Sequence, residues 1–458
     1  MRFLFGLILI LVLALGGAWI AGGRMAAPGI EILKPEKFVG GSTPVEVAVT
    51  SPDSQLSDLT VAFEHGDTRV PLFSLTDPRA AKTRQEGERI IVTAQIDKQT
   101  VPSLQSGNGR IVVTAGRKVL YGLRTRDASA TRDVQVRLER PRVSVVSTHH
   151  YVNHGGSEMV VYRVTPNDVE SGVIVGNVEY PGYPATGVTA DGIDISDPAL
   201  RVAFFALLWD QDLNTPMRVY ARDPAGNTAR ADFDNRTFPK PFKRSRIEVN
   251  DSLLDRVVPA ILEGTTEIRP EGDNLTKFLA INGELRRKNA SKIASFAAQT
   301  APEMLWRGAV FHPFRNTAVE SAFADQRTYI YKGKEVDRQV HLGFDLASLT
   351  NAPIVAGNRG KVVFADELGI YGNCVIVDHG MGVQSLYAHL SSMDVQPGQT
   401  VEKEQTLGRS GLTGLAGGDH LHFTMLVHGR MVNPVEWWDS HWIEDRILRK
   451  LRAAAEGS

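Results

Sequence analysis

The sequence predicts a mainly β protein with two N-terminal β-sandwich modules of immunoglobulin-like type, a helical connector and a C-terminal antiparallel-β domain. Three observations lead to this fold class. Between residues 30 and 236, short runs of alternating β-branched and polar residues are separated by Gly, Pro, Asn and Asp. Apolar residues then take a helical spacing, and glycine-rich strand patterns return from about residue 308.

These changes of pattern divide the chain of 458 residues into six segments, more than one hydrophobic core usually organises. An apolar N-terminal segment covers 1–23. The predicted segments that follow are the first β-sandwich module at 30–136, the Ig-like second module at 137–236, the linker and helical connector at 237–307, the C-terminal β domain at 308–440, and a C-terminal helix at 441–458.

The N-terminal segment predicts export. Residues 3–23 carry no charged side chain and are numerous enough to span a hydrocarbon core as a helix. We expect an uncleaved signal anchor that holds the chain at a membrane. A cleaved signal peptide is the alternative, because small residues such as Ala14, Ala18 and Ala21 leave cleavage possible. Both interpretations place the remaining chain outside the cytoplasm.

Charge and cysteine content exclude some function classes. The formal net charge is −1, so no long-range field attracts nucleic acid, and we expect no nucleic-acid partner. Cys374 is the only cysteine of the sequence. It rules out an intramolecular disulfide framework and a multi-cysteine zinc site. Its apolar surroundings predict a buried, inert thiol.

Two helices are predicted in the connector. Leu253, Leu254, Val257 and Ile261 have helical spacing, and Pro259 should bend or shorten this helix. A second apolar stripe runs from 274 to about 298. The last stretch, from 442 to 455, reads as a basic amphipathic helix that packs on the domain.

Four histidines and one aspartate recur in three strand-like segments. In HLGFDLA, His341 and Asp345 share one face of a strand, and in HLHFTM, His420 and His422 do so. In SLYAHLS, His389 lies opposite to the apolar residues around it. Because successive side chains of a strand point to opposite faces, these polar groups should leave the core on a common side. We interpret His149, His150 and His154 as exposed loop residues and His428 as a solvated residue of a hairpin turn.

These side chains match the chemistry of a catalytic zinc ion. Zn²⁺ takes imidazole nitrogens and carboxylate oxygens tetrahedrally, and a catalytic site keeps one position for water. The ion lowers the pKa of that water to about 7 and polarises a carbonyl oxygen. Histidines beside the metal can move protons. Gly343 fits between the two ligands of its segment, since a side chain there could crowd the metal.

The motifs HLGFD, GIYGNCVIVDHGMGVQSLYAHLS and GDHLHF together resemble those of the M23 family of zinc metallopeptidases, the lysostaphin/LytM type. The resemblance implies that His341, Asp345 and His422 bind one zinc ion per chain. It implies catalytic roles for His389 and His420, which would orient and deprotonate the water and stabilise the oxyanion. The implied activity is a zinc endopeptidase that hydrolyses peptide cross-links or stem peptides of bacterial peptidoglycan.

The resemblance extends over roughly 321–438. Tyr371 and Asn373 match its YGN element, which implies a role in shaping the substrate groove. The helical lead-in resembles membrane-tethered M23 proteins of Gram-negative bacteria, and this implies inner-membrane anchoring with the bulk of the chain in the periplasm. One departure concerns loop shape, because Ala324 stands where the family often has glycine.

One alternative function stays open. Some relatives are degenerate LytM-type domains that activate a separate cell-wall amidase without catalysis, but these typically lose metal ligands, and here all are present. The β modules carry no readable chemistry. They could be spacers, docking surfaces for cell-envelope proteins, or gates over the groove.

Overall fold

A computed structural model describes residues 2–52, 56–77 and 81–457 of the chain. Within the first helix, it describes the side chains of residues 8, 10, 12–17 and 19–24. The chain forms two compact units. The first comprises 1–140 with 222–228, and the second comprises 141–221 with 229–458.

The first helix, α1, spans Arg2–Arg24. The predicted anchor at 3–23 falls on this helix, and several of its side chains lie outside the described set. In the described parts of the chain, no helix has the length and apolar character needed to cross a membrane. An anchor at 3–23 stays a prediction.

The rest of the first unit is a two-sheet β structure around one core. Its strands are β1 Gly29–Lys34, β2 Phe38–Val39, β3 Ser42–Thr50, β4 Asp58–His65, β5 Thr68–Ser74, β6 Lys82–Glu86, β7 Arg89–Asp97, β8 Gly107–Val119 and β9 Arg124–Val136. The strand orders are β1-β3-β7-β6 and β2-β9-β8-β4-β5. Alternate residues of both sheets, such as Val47, Val61 and Ile111, are fully buried in the shared core.

The second unit begins with another β module. Its strands are β10 Arg142–Val145, β11 His150–Asn153, β12 Ser157–Thr165, β13 Glu170–Val175, β14 Val178–Pro181, β15 Tyr183–Pro184, β16 Leu200–Ala206, β17 Met217–Arg222, β18 Thr228–Asp232 and β19 Asn235–Phe238. They form sheets ordered β10-β12-β16-β15, β14-β13-β17-β18 and β11-β19. The mainly β prediction is confirmed, whereas the immunoglobulin-like character of the two modules stays a prediction.

A helical connector follows, as predicted. Its elements are β20 Arg244–Val249, α2 Asp251–Gly264, α3 Asn274–Ala280, a π-helical turn Ile281–Leu285, α4 Arg286–Ser295 and a 3₁₀ turn Phe296–Gln299. The side chain of Asn250 accepts a hydrogen bond from the backbone N–H of Leu253 and so caps α2. The helix continues through Pro259 to Gly264, so the proline does not end it. The predicted apolar face of α2 is buried.

The C-terminal domain is built on one large antiparallel sheet. Its strands are β21 Ala318–Ser321, β22 Asp325–Tyr331, β23 Lys334–His341, β24 Phe344–Ala347, β25 Pro353–Val355, β26 Gly360–Glu367, β27 Asn373–Gly380, β28 Val383–Leu390, β29 Ser392–Met393, β30 Thr400–Val401, β31 Thr406–Arg409, β32 Leu421–Val427 and β33 Arg430–Val432. The large sheet has the order β21-β24-β32-β28-β27-β26-β30, with β33 paired to β32. Two smaller sheets have the orders β20-β22-β23 and β25-β31-β29.

Both faces of the large sheet are buried. On one face, Tyr387 and Phe423 belong to a core that also contains Phe204 of the second β module and Trp437. On the other face, Leu386 and its neighbours belong to a core formed with the connector helices. The sheet is thus the middle layer between the second module and the connector.

The C-terminal helical segment consists of α5 Ser440–Ile443, a π-helical turn Glu444–Leu448 and α6 Arg449–Glu456. Its apolar residues Ile447, Leu451 and Ala454 are buried. Lys450 is also buried, and its Nζ lies 2.8 Å from the Glu158 carboxylate of β12. The segment therefore packs on the second β module and also on the C-terminal domain, where the ring centroid of Trp442 lies 5.2 Å from that of Trp437.

Two histidines predicted to be solvated are not. His150 is 1% exposed, because one ring nitrogen contacts Ser147 Oγ and the other the carbonyl of Asp234, both at 2.9 Å. His428 stacks on Tyr183, with 5.8 Å between the ring centroids. Burial lowers the pKa of each imidazole to about 4. The pairing of β11 with β19 brings Asp234 to His150, and packing against the second β module brings Tyr183 to His428. Local sequence shows neither contact.

Glu436 ties the second β module to the C-terminal domain. Its carboxylate accepts hydrogen bonds of 2.7 Å from the backbone N–H of Ser157 and from the side-chain amide of Asn153. Despite these bonds, burial raises the pKa of this carboxyl from 4.5 to about 7. The folded state therefore binds the proton of Glu436 more tightly than the unfolded chain does.

We predict that Glu436→Gln changes the pH dependence of stability. Because the folded pKa is raised, the stability that the wild type gains here is complete below pH 4.5 and is lost as the pH rises through about 7. The free energy of unfolding of the wild type relative to Glu436→Gln should fall by about 3 kcal/mol across that range. Denaturant unfolding at a series of pH values measures this difference.

Glu402→Gln is the matched control, because the Glu402 side chain is 69% exposed. It should leave the pH profile of the wild type unchanged. Parallel profiles for the wild type and Glu436→Gln would contradict the assignment of a buried, neutral Glu436 below pH 7.

Candidate metal centre

The segment with the first two predicted ligands is not one continuous strand. β23 ends at His341 and β24 begins at Phe344, so the prediction of a single alternating strand is wrong here. The reason is a close approach at Gly343, where a Cβ atom would lie 2.5 Å from ring atoms of His422. The break leaves His341 Nε2 and Asp345 Oδ1 2.9 Å apart.

β32 brings the other histidines to the same place. His422 pairs with Asp345 across β24 and with Ala388 across β28. Its Nδ1 lies 3.0 Å from Asp345 Oδ1 and 2.9 Å from His341 Nε2. His420 precedes the strand, and its Nε2 lies 3.5 Å from the same carboxylate oxygen.

His389 reaches the site through an irregularity in β28. Strict alternation puts it on the face of Tyr387, but its ring centroid lies 4.9 Å from that of His420 and 5.8 Å from that of His422. The pairing of β28 with β27 shifts register next to this residue. The backbone of His389 has φ +62°, a left-handed conformation that is uncommon for a side chain of this size. This bulge redirects the imidazole, so the predicted facing of His389 is corrected.

The donor atoms of His341, Asp345 and His422 fit a bound cation. The three atoms lie 2.9 to 3.0 Å from one another. Four tetrahedral zinc ligands, at about 2.0–2.1 Å from the ion, lie roughly 3.3 Å apart. Two imidazole nitrogens at 2.9 Å can make at most one hydrogen bond between them, whereas a cation attracts both lone pairs. Within the described ranges, no second group of three His, Cys, Asp or Glu residues meets the distances for a metal ion.

Backbone carbonyls fix the orientation of the two remaining imidazoles. His389 Nδ1 lies 2.8 Å from the carbonyl oxygen of Thr413, and His420 Nδ1 lies 2.8 Å from that of Gly418. In each pair the ring N–H donates, because a carbonyl only accepts. The Nε2 atom of each ring is therefore the one left for chemistry in the site.

Arg327 supports the carboxylate and was missed by the sequence reasoning. Its Nη2 donates to Asp345 Oδ2 at 2.9 Å and to Ser321 Oγ at 2.8 Å. Arg327 lies on β22, which pairs with β23 so that Asp325 is opposite His341. The turn between these strands, at YKGK, was a readable hairpin signal and could have placed Arg327 near the first ligand.

Burial and charge set the protonation of the site. Burial raises the pKa of Asp345, but the three nearby imidazoles outweigh it and hold that pKa well below its usual value. Burial lowers the pKa of His422 to about 4 and keeps the pKa of His389 well below its usual value. Burial also lowers the pKa of His420, yet its interactions with Asp345 raise it overall. Asp345 is thus anionic at neutral pH, while His389 and His422 are neutral.

The five side chains line a cavity of about 140 Å³. Tyr371 lines it as well, with its ring centroid 5.5 Å from that of His422. Asn373 is not among the lining residues, and its amide donates to the carbonyl of Leu390 at 3.0 Å. Arg286 and Ala290 of α4 contribute one wall, which the sequence had not indicated.

Ala324, which stands where the family often has glycine, still adopts a backbone conformation typical of glycine. Ala324 has φ +59°, the left-handed region that glycine enters most easily. Its N–H donates to the carbonyl of His341 at 2.7 Å. The loop therefore holds the first ligand with an alanine in a conformation that costs roughly 1–2 kcal/mol more than it would for glycine.

Comparison with known proteins finds similarity to peptidases of family M23 and to peptidoglycan peptidases. The family model described as Peptidase family M23 matches residues 339–434. The "Peptidoglycan DD-endopeptidase ShyA" of Vibrio cholerae is 29% identical over 211 residues, which are 44% of this chain and 45% of that protein. The "DD-carboxypeptidase/endopeptidase Mpg" of Neisseria meningitidis is 38% identical over 97 residues, which are 21% of this chain and 22% of that protein.

A solved structure is also similar. The crystal structure of a "putative peptidase M23" from Pseudomonas aeruginosa is 19% identical, covers 62% of this chain and 94% of its own, and has a TM-score of 0.39. The chain spans less than half of the length of the two curated relatives above. The matched residues include the ligand triad, which is His341, Asp345 and His422, and the two catalytic candidates His389 and His420. The chain therefore carries a domain of peptidase family M23 in residues 339–434.

Proposed function

We propose that the chain is a zinc metallo-endopeptidase that hydrolyses peptide cross-links or stem peptides of bacterial peptidoglycan with a metal-activated water. The observation that carries this proposal is the convergence of His341, Asp345 and His422, whose donor atoms lie 2.9 to 3.0 Å apart. Relatives in Vibrio cholerae named as peptidoglycan DD-endopeptidases support the substrate class.

The residues of the site have distinct proposed tasks. His341, Asp345 and His422 would hold one zinc ion, which supplies an acidified water and polarises the scissile carbonyl. His389 is neutral, so its Nε2 can accept a proton from the attacking water. His420 keeps its proton more readily beside Asp345 and can donate it from Nε2 to the developing oxyanion or the leaving amine. Tyr371 forms part of the groove wall, and the role of Asn373 is to hold the Leu390 backbone next to His389.

This substrate places the protein in the cell envelope, with the periplasm as its compartment. The β modules then lie beside the wall polymer, where they serve as spacers, as docking surfaces for envelope proteins or as gates. The activator alternative is less favoured, because an activator has no need of the ligand triad and the two oriented imidazoles found here.

Hydrolysis of purified peptidoglycan tests the proposal directly. The zinc-loaded protein should release fragments cut at peptide bonds, and a chelator should stop the release until zinc is restored. Mass spectrometry of the soluble fragments identifies the bond. A protein that is folded, holds zinc and leaves peptidoglycan intact, yet stimulates a cell-wall amidase, would show that the activator alternative is right.

Substitutions should separate the metal ligands from the proton-transfer residues. His341→Ala, Asp345→Ala and His422→Ala should each abolish both zinc binding and hydrolysis, because each removes one of three protein ligands. His389→Ala and His420→Ala should reduce kcat by roughly 10²–10⁴-fold while the zinc content stays at one per chain. Metal analysis and peptidoglycan hydrolysis are measured on the same samples. Full activity in His422→Ala would refute the ligand assignment.

Arg327 should affect metal affinity without being a ligand. Arg327→Lys keeps a positive charge but loses the planar donor group that reaches both Asp345 and Ser321. We expect zinc affinity to fall by about 10-fold, as is typical when a contact behind a ligand is lost. Competition with a chromogenic chelator measures the affinity.

Arg338→Lys is the matched control, since Arg338 lies on β23 but its side chain is 75% exposed and pairs with Glu335. Its zinc affinity should equal that of the wild type. Equal affinity in Arg327→Lys would mean that Asp345 is held in place without this contact.

A further inference from the structure

One cation of the cavity wall comes from outside the family domain. Arg286 is the first residue of α4 in the connector, 53 positions before the matched range begins at residue 339. It lines the same cavity as His341, Asp345, His389 and His422. The connector therefore contributes to the site as well as to the hydrophobic core.

The guanidinium of Arg286 has only neutral partners. Its Nε donates to the carbonyl of Asn282 at 3.1 Å and its Nη2 to Asn282 Oδ1 at 2.6 Å. In the part of the chain that the structure describes, no carboxylate lies within salt-bridge distance of it. Arg327, the other arginine of this cavity, is by contrast paired with Asp345. Because this half-buried guanidinium has no carboxylate partner among the described residues, it can bind an anion that enters the cavity.

The side chain of Arg286 is also held in a fixed direction. Asn282 is fully buried, and its Nδ2 donates to Asp337 Oδ2 at 2.8 Å. Asp337 lies on β23, the strand that ends in the ligand His341. The π-helical turn at Ile281–Leu285 directly precedes Arg286, and such turns occur often at functional sites. A chain of polar contacts thus links the orientation of the cation to the metal-binding strand.

We propose that Arg286 binds a carboxylate of the substrate next to the scissile bond and so selects the cross-link. This inference rests on the proposed endopeptidase function. Arg286 and the three metal ligands line the same cavity of about 140 Å³. A substrate anion that binds Arg286 therefore lies within a few bonds of the scissile carbonyl. The substrate class is a peptide cross-link in which the carbon bearing the scissile nitrogen also carries a free carboxylate.

Two synthetic cross-linked peptides test this assignment. In one, the diamino acid that donates the scissile nitrogen has a free carboxylate on the same carbon, and in the other this carboxylate is a carboxamide. The wild-type full chain, loaded with zinc, should prefer the carboxylate peptide by about 10- to 100-fold in kcat/KM, the range expected for one charged hydrogen-bonded pair. Arg286→Gln should lose this preference while it keeps its activity on the carboxamide peptide within about threefold.

Arg287→Gln is the matched control, because Arg287 is the next residue of α4, is exposed and does not line the cavity. It should keep the wild-type preference, and Arg286→Lys should restore part of it through its charge. Zinc content and melting temperature, measured on all variants, should equal those of the wild type.

The outcomes distinguish this inference from the function on which it rests. If the wild type cleaves both peptides equally, or if Arg286→Gln loses activity on both to the same extent, the carboxylate assignment is wrong and the endopeptidase stands. If the zinc-loaded wild type cleaves neither peptide and leaves peptidoglycan intact, the proposed function itself fails.

Discussion

The buried carboxylate of Asp345 organises the C-terminal domain. One of its oxygens lies within 3.0 Å of both His341 Nε2 and His422 Nδ1, and the other accepts a hydrogen bond from Arg327. A carboxylate removed from water is costly unless charge and hydrogen bonds compensate it. The local irregularities of the site make that compensation possible. The strand break at Gly343 lets the His422 ring approach, and the left-handed backbone of His389 turns its imidazole to the same cavity.

The layers around the large sheet explain how these irregularities persist. A strained residue is retained only where its surroundings hold it in place. The second β module covers one face of the sheet, through contacts such as Phe204 against Trp437. The connector covers the other face, where Asn289 accepts a hydrogen bond from the backbone N–H of Ile370 beside the groove residue Tyr371. Both layers therefore stabilise the strands that carry the ligands.

The sequence predicted the parts of the site that depend on local pattern. Alternation indicated that the histidines and Asp345 leave the core on a common side, and the resemblance to family M23 implied that His341, Asp345 and His422 are the ligands. In the structure, the donor atoms of these three residues lie within 4.8 Å of one another. The mainly β class and the connector helices also followed from periodicity. Alternation failed at His389 because a bulge, which depends on pairing with β27, changes the face of the residue.

Long-range packing accounts for what the sequence could not show. His150 is buried and His428 half-buried by segments far away in the chain, so neither their partners nor their lowered pKa values could be read from their neighbours. The same holds for Glu436, whose hydrogen-bond partners lie 279 and 283 positions away. Polar residues in turns usually are solvated, and the exceptions appear only once the second β module is placed against the domain.

The functional unit consequently extends beyond the residues that match the family. The contact that orients Asp345 comes from Arg327, before residue 339, and one wall of the cavity comes from Arg286 in the connector. Glu436 and Lys450, after residue 434, bind the second β module by buried polar contacts. Each of these groups would lose its partner, or expose a large apolar face, if the matched range were separated from its neighbours. The proposed metal ligands all lie in the family domain. The orientation of Asp345 and the positive charge of the cavity wall, by contrast, depend on Arg327 and Arg286 in the segments packed around that domain.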